Sequence, residues 1–504
     1  MPPSLRVLFL ASEADPFVKI GGLGDVAGSL PPALKTVDDS IDVRLVIPFH
    51  GAIQRQAYKL RTVGVFDVPS AGGAIRAEAL HIELDGLPVY LIAGAPIAPD
   101  APVYSADPAQ DGRKFTFFSL AALELARYLD WSPDVLHAND WHTAPAIYAL
   151  ARARGQDPLP SRRSRVTAAG DQFFQHTATL LGLHNLPYLG IGTEAALTAF
   201  ELPPASGSDL PVWAAHLPLP LGLLAADHIV AVSPNYAREI LTPAFGSDLH
   251  EFLRSRASSI SGILNGIDTL RWDPRSDPDL VVNYDADQLE KRALNKAALQ
   301  TEFGLAQDPR RPLFGVVSRL DFQKGVNLVP DALRQVSDQD CQLIVLGAGD
   351  PQLERAIYQL EVEFPDRVRA AIRFDSTLSS RIFAGVDALL IPSRYEPCGL
   401  TQMIAMRYGC VPVARATGGL VDTITDYDDP GQSTGFLFEA PTSGDLATAL
   451  LRANQVFEDR DTWLALQRRG MGQDFSWARS AKAYLEFYQD LVRRTTERTR
   501  TNAE

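Results

Sequence analysis

Short apolar runs alternate along this chain with longer stretches in which apolar residues recur every three or four positions. A short apolar run bounded by turn residues reads as a buried strand, and a 3.6-residue period as an amphipathic helix. Leu5 to Ala11 is then a strand, followed by a glycine-rich loop and a helix from about Asp25 to Leu34. Val43 to Pro48 is a second strand. Between Tyr58 and Ala93 apolar residues alternate (Leu80, Ile82; Val89, Leu91), which predicts hairpin strands inserted into the α/β pattern. A helix over Phe115–Tyr128, a strand from Val135, a helix over Ala144–Arg152 and strands over Thr177–Leu183 and from His228 follow. Ser161 to Gln175 is polar and reads as a surface loop. Glu201 to Leu219, rich in proline, reads as a loop or lid.

A Pro/Asp-rich segment, Asp273 to Pro278, precedes a second α/β series. Its strands are Leu313–Val317, Gln342–Gly347, Val368–Phe374, Ala388–Ile391 and Cys410–Ala414, with helices between them. Asp474 to Arg494 is a last amphipathic helix, and the polar tail from Thr495 is expected to fray. No unit of about 20–50 residues repeats. The fold class is α/β, with two Rossmann-like domains facing a cleft. The expected domains are residues 1–265, residues 266–475, and a terminal helix with its tail over 476–504.

Length changes this picture little: 504 residues suit about two to four domains. The net charge of −14 and pI near 5.2 argue against a nucleic-acid partner. No apolar run approaches the roughly 18 residues of a membrane span, and no signal peptide is read at the start. Three scattered cysteines fit a reducing compartment, so a cytoplasmic location is expected. No metal-ligand spacing stands out, and no metal or cofactor is expected.

Candidate chemistry lies at the strand-to-helix turns, where ligands of open α/β sheets bind. The run Leu389–Gln402 reads as strand, tight loop and helix start. It sets Glu396 at the strand's carboxyl end, with Gly399, Leu400 and Thr401 offering backbone N–H groups suited to phosphate oxygens. Lys19 with Gly21-Gly22 forms a glycine-rich turn after the first strand. Arg319 and Lys324 share one turn after Val317, close enough to reach one polyanion as a fork and a point charge. A metal-free diphosphate site would use such fixed cations to stabilise a phosphate leaving group. The missing G-x-G-x-x-G turn favours a nucleotide sugar over a dinucleotide.

Almost end to end, the chain resembles the bacterial glycogen synthase and plant starch synthase family. The resemblance is carried by Lys19-Ile20-Gly21-Gly22-Leu23-Gly24-Asp25-Val26, His137-Ala138-Asn139-Asp140-Trp141-His142-Thr143 and His184-Asn185-Leu186-Pro187-Tyr188. Ser318-Arg319-Leu320 with Gln323-Lys324-Gly325, Glu396-Pro397-Cys398-Gly399-Leu400-Thr401-Gln402 and Thr417-Gly418-Gly419-Leu420 carry it in the second half. It implies the GT-B architecture and transfer of α-glucose from ADP-glucose, with UDP-glucose the other candidate donor. The acceptor would be the 4-hydroxyl at the non-reducing end of an α-glucan, with retention. By motif, Glu396, His184, Arg319 and Lys324 are the implied catalytic residues. Lys19, Gly21, Gly22, Asn185, Cys398, Gly399, Leu400 and Thr401 would bind the donor, and Asp140 and His142 are candidate sugar or acceptor contacts. In this family a front-face reaction with the leaving phosphate as base is the usual proposal, and a covalent route through Glu396 stays open.

The chain departs from the family pattern in two places. Leu217-Pro218-Leu219-Pro220-Leu221-Gly222 stands where an Asn-Phe-Leu-Lys-Gly-Gly-like run is common, so an Asn and a Lys are missing. Leu180-Leu181-Gly182-Leu183 precedes His184 where Thr-Ile is common. The alternatives are a retaining glucosyltransferase with another donor or a small acceptor, and a catalytically silent glucan-binding scaffold. Oligomeric state and allosteric control are open.

Overall fold

The computed structural model describes residues 5–154, 172–429 and 431–503. Most of the polar loop expected over 161–175 lies outside these residues; its described end holds one short helical turn, Gln172–Phe174. The chain divides into two compact units. One comprises Met1–Val232, Ala237–Ile263 and Trp477–Glu504, and the other Ser233–Tyr236 with Leu264–Ser476.

The first unit is built on nine strands: β1 (Arg6–Leu10), β2 (Asp42–Pro48), β3 (Arg61–Val68), β4 (Ile75–Leu84), β5 (Leu87–Gly94), β6 (Val135–Asn139), β7 (Ala178–Leu183), β8 (His228–Ala231) and β9 (Ile260–Gly262). Their order is β3-β4-β5-β2-β1-β6-β7-β8-β9. The expected hairpin strands are present: β3, β4 and β5 pair antiparallel, and β5 joins β2 in parallel. All other neighbours are parallel, which is why β1, β6 and β7 are largely apolar and, apart from Arg6, buried along their length. Chain order reverses between β1 and β6, so their carboxyl ends flank a topological switch point.

The second unit carries six parallel strands: β10 (Leu313–Val317), β11 (Gln342–Leu346), β12 (Val368–Ala371), β13 (Ala388–Ile391), β14 (Val411–Arg415) and β15 (Phe436–Phe438). Their order, β12-β11-β10-β13-β14-β15, is that of a doubly wound fold, with the switch point between β10 and β13. A core of Phe314, Val316, Leu343, Val345, Leu390 and Val413 lies beneath it.

Three boundaries differ from the sequence reading for physical reasons. The helix after β1 starts at Gly22, so Gly22 to Gly24 form its first turn rather than a free loop. The helix after β6 starts at Asp140 rather than Ala144, with Asp140 at φ 53°. The last helix runs from Trp477 to Ala503 without fraying at Thr495. Thr495 continues the buried stripe of Ala481, Tyr484, Tyr488 and Leu491, and Arg498 pairs with Asp227 at 2.6 Å. The Glu201–Leu219 stretch is irregular as expected, up to a helix over Pro218–Ala225. Among the described residues no helix is long and apolar enough to cross a membrane.

Candidate active site

Each switch point gathers a set of polar groups, and the two sets differ in kind. In the first unit the turn after β1 carries Glu13, only 2% exposed. Its carboxylate accepts the backbone N–H groups of Ile20 and Gly21, the latter at 3.1 Å. Two donors of the glycine turn are therefore already occupied from inside the protein. Lys19 turns its ammonium to Asp25 in the first turn of the following helix. A Cβ on Gly22 would meet nothing within 4 Å, so the protein's own packing does not demand glycine there. What glycine provides is open space in front of the loop.

Beyond β6, Asn139 donates to the Leu10 carbonyl at 2.8 Å, which turns its amide oxygen to His184 Nε2, also at 2.8 Å. That contact assigns the proton to Nε2 and leaves Nδ1 as an acceptor. Asp140 accepts the backbone N–H groups of His184 (2.8 Å) and Asn185 (3.3 Å), so Asn139, the last residue of β6, and Asp140, the first after it, hold the turn after β7. Burial pushes His184 down to about 4 and Asp140 up to about 7. His184 is therefore neutral at ordinary pH, a hydrogen-bonding group and not a cation. Burial also raises the carboxyl of Glu13. His142 is buried among Tyr104, Phe115 and Trp141, an aromatic packing role that its motif position did not disclose.

In the second unit the switch point is charged. Lys324, after β10, places Nζ 2.7 and 2.9 Å from the two oxygens of Glu396, which follows β13. Ser393 donates to the same carboxylate at 2.8 Å. Glu396 is 7% exposed and the Lys324 side chain 20%, so this is a partly buried ion pair with both carboxylate oxygens engaged. Arg319 pairs with Asp321 at 3.1 Å but keeps 63% of its side chain exposed. The Gly418–Gly419 turn is pressed onto this segment: a Cβ at 418 would lie 1.9 Å from the Glu396 carbonyl oxygen, and one at 419 2.0 Å from that of Cys398. Glycine is required at both, and Gly419 N–H donates to the Glu396 carbonyl at 3.0 Å. Cys398 is buried and its thiol is pushed up to about 12, which keeps it protonated and unreactive. Gly399 adopts φ 71°, and Leu400 precedes the helix Thr401–Arg407.

One surface residue went unread in the sequence. The apolar run predicts a strand as far as Phe374, yet β12 stops at Ala371 and Phe374 is 92% exposed at the carboxyl edge of the sheet. An exposed ring at a ligand-facing edge offers a flat apolar platform. Among the described residues no group of three His, Cys, Asp or Glu could hold a metal ion.

Comparison with known proteins agrees with this arrangement. The model of the starch synthase catalytic domain matches residues 6–255, and that of glycosyl transferases group 1 matches residues 300–463. A glycogen synthase of Aromatoleum aromaticum is 42% identical, with 96% of each chain covered. One from Bacillus anthracis is 36% identical over 97% of this chain and 100% of that one. Among solved structures, the catalytic domain of starch synthase IV from Arabidopsis thaliana, bound to ADP and acarbose, superposes with a TM-score of 0.84. It is 32% identical and covers 97% of this chain and 99% of that one. Two doubly wound α/β units with polar groups at both switch points define a glycosyltransferase of the GT-B architecture. The chain belongs to the family of bacterial glycogen synthases and plant starch synthases.

Proposed function

We propose that the protein elongates an α-1,4-glucan with glucosyl units from ADP-glucose, with retention at the anomeric carbon. The observation that carries this reading is the Lys324–Glu396 pair beside the exposed Arg319 at the second unit's switch point. Arg319 and Lys324 supply positive charge for a diphosphate whose bond to the glucosyl C1 breaks. The acceptor's 4-oxygen forms the new bond to C1, and its proton passes to the leaving phosphate oxygen. Fixed cations at that oxygen stabilise the charge that develops there. Glu396 orients the donor through the sugar hydroxyls. With both oxygens held by Lys324 and Ser393, it is poorly disposed to act as a nucleophile.

His184, neutral and with Nδ1 available as an acceptor, suits a glucosyl hydroxyl near the reacting carbon. Leu400 and Thr401 contribute backbone N–H groups to the diphosphate, and Phe374 lies under the base. The binding of ADP and acarbose by the Arabidopsis enzyme supports both substrate classes.

Nucleotide release from ADP-glucose and from UDP-glucose, each with glycogen, with maltose and with no acceptor, tests the reading. Glycogen-dependent ADP release is expected. Release with maltose alone would move the assignment to a small-acceptor enzyme, an option raised by the apolar stretch Leu217–Gly222. No release from folded, glycogen-binding protein would leave the scaffold reading.

A further inference from the structure

We propose that Glu13 is a positioning residue for the donor, an internal anion that sets the turn from Lys19 to Gly24 in its donor-receiving shape. This rests on the reading of the first unit's switch point as part of a glucosyl-donor site. Glu13 and the residues it grips lie seven and eight positions apart, so the chain after β1 folds back on this one carboxylate. Next to it in the chain, Ser12 Oγ lies 2.8 Å from the Tyr104 hydroxyl. The charge is thus compensated from the turn itself, while Lys19, the nearby cation, goes to Asp25.

Successive backbone N–H groups make a concavity that attracts an anion. Here that anion is built in. Ile20 and Gly21 cannot also give their N–H groups to a phosphate, so a donor is met by Lys19 and by the open space at Gly22. The carboxylate is what makes the turn rigid before the donor arrives. Preorganisation of this kind is expressed in donor affinity and leaves acceptor affinity alone.

The experiment uses the full chain with Glu13→Ala and Glu13→Gln. A carboxylate accepts on both oxygens, whereas the amide turns one donor end towards the Gly21 N–H, so glutamine restores part of the grip and alanine none. Hydrogen exchange at Ile20 and Gly21 is expected to quicken at least about tenfold in Glu13→Ala, and less in Glu13→Gln. The KM for ADP-glucose should rise about tenfold in Glu13→Ala and less in Glu13→Gln, with the KM for glycogen unchanged.

Unchanged exchange in both variants overturns the grip without reference to any activity. Faster exchange with unaltered donor KM overturns the positioning role. An equal rise in both KM values overturns it too, as general damage to the unit. Wild type without turnover of any donor would reject the functional reading instead, while the exchange result still decides the grip. Glu13→Gln keeps the comparison usable if Glu13→Ala does not fold.

Discussion

The two switch points solve opposite electrostatic problems. In the second unit the polar groups are ions: Lys324 and Glu396 in a partly buried pair, Arg319 exposed beside them. In the first unit burial pushes His184 and Asp140 towards their neutral forms, beside the turn that the Glu13 carboxylate holds. His184, buried, sits near 4, and Asp140 is raised to about 7. A phosphate leaving group needs fixed positive charge, and a sugar needs directional hydrogen bonds without a net charge. The two environments could not coexist at one strand end, because a largely buried site holding Lys324 and Glu396 would raise the cost of every unpaired charge near it.

The largest effect should come from breaking the charged side. On the proposed reading Lys324→Ala removes a cation from the leaving phosphate, and it strands Glu396 in a site where it is 7% exposed. We expect kcat to fall about 10²- to 10³-fold, as when a preorganised charge-stabilising group is lost. Stability should fall as well, by about 3 kcal/mol, since one partner of a buried pair is left uncompensated. Glu396→Gln, which keeps shape and the Ser393 contact, should cost less stability than Lys324→Ala while still slowing the reaction. Urea melts and steady-state kinetics on the two variants check this. Equal stability losses would mean that the pair is not the partly buried, coupled unit the geometry describes.

The neutral side is sharpened by pH. Asp140 sits near 7 in the folded protein against an ordinary 3.8. Between these values the folded state holds more protons than the unfolded one. The stability Asp140 contributes is therefore complete below about pH 4 and is lost as pH rises towards 7. Asp140→Asn keeps an oxygen acceptor and suits the φ of 53° at this position, since asparagine tolerates the left-handed region. Melting temperatures from pH 4.5 to 7.5 should decline more steeply for wild type than for the variant; parallel slopes would exclude Asp140 as the source. Above 7 the ionised carboxylate accepts more strongly from His184 and Asn185 N–H, so kcat/KM should show an inflection near 7 that the variant lacks. His184, near 4, cannot produce that inflection.

How legible these two sides were in the sequence follows from the range over which each signal acts. The Leu389–Gln402 run was readable because strand, turn and helix start are local signals, and Gly399 and Gly409 adopt the positive φ that glycine allows. The alternation over Tyr58–Ala93 marked the hairpin strands for the same reason. Other features depend on what the chain meets after folding. Glu13 was passed over, since its partners are defined only when the chain turns back on it. His142 shares a motif with Asp140, yet its ring packs with Phe115 and Tyr104. The helix start at Asp140 was hidden by a polar cluster that reads as a strand's carboxyl end, and Thr495 looked like tail although it is 4% exposed. The helix Arg460–Met471 went unread.

Phe374 belongs to neither side of the comparison, and the smallest effect is expected there. The ring is 92% exposed and ends a turn at the carboxyl edge of the second sheet, beyond β12. Stacking of a base on an aromatic face is worth about 1–3 kcal/mol, and an edge position at the low end of that range corresponds to about fivefold. Phe374→Ala should therefore raise the KM for ADP-glucose about fivefold and leave kcat within about twofold, because the base lies away from the breaking bond. Phe374→Tyr keeps the aromatic face and should behave like wild type. Since an exposed ring contributes little to packing, melting temperature should hold in both variants, which separates loss of a platform from loss of structure. A fall in kcat with unchanged KM would tie Phe374 to the charged switch point; no change in either would leave the base without a partner at this edge of the sheet.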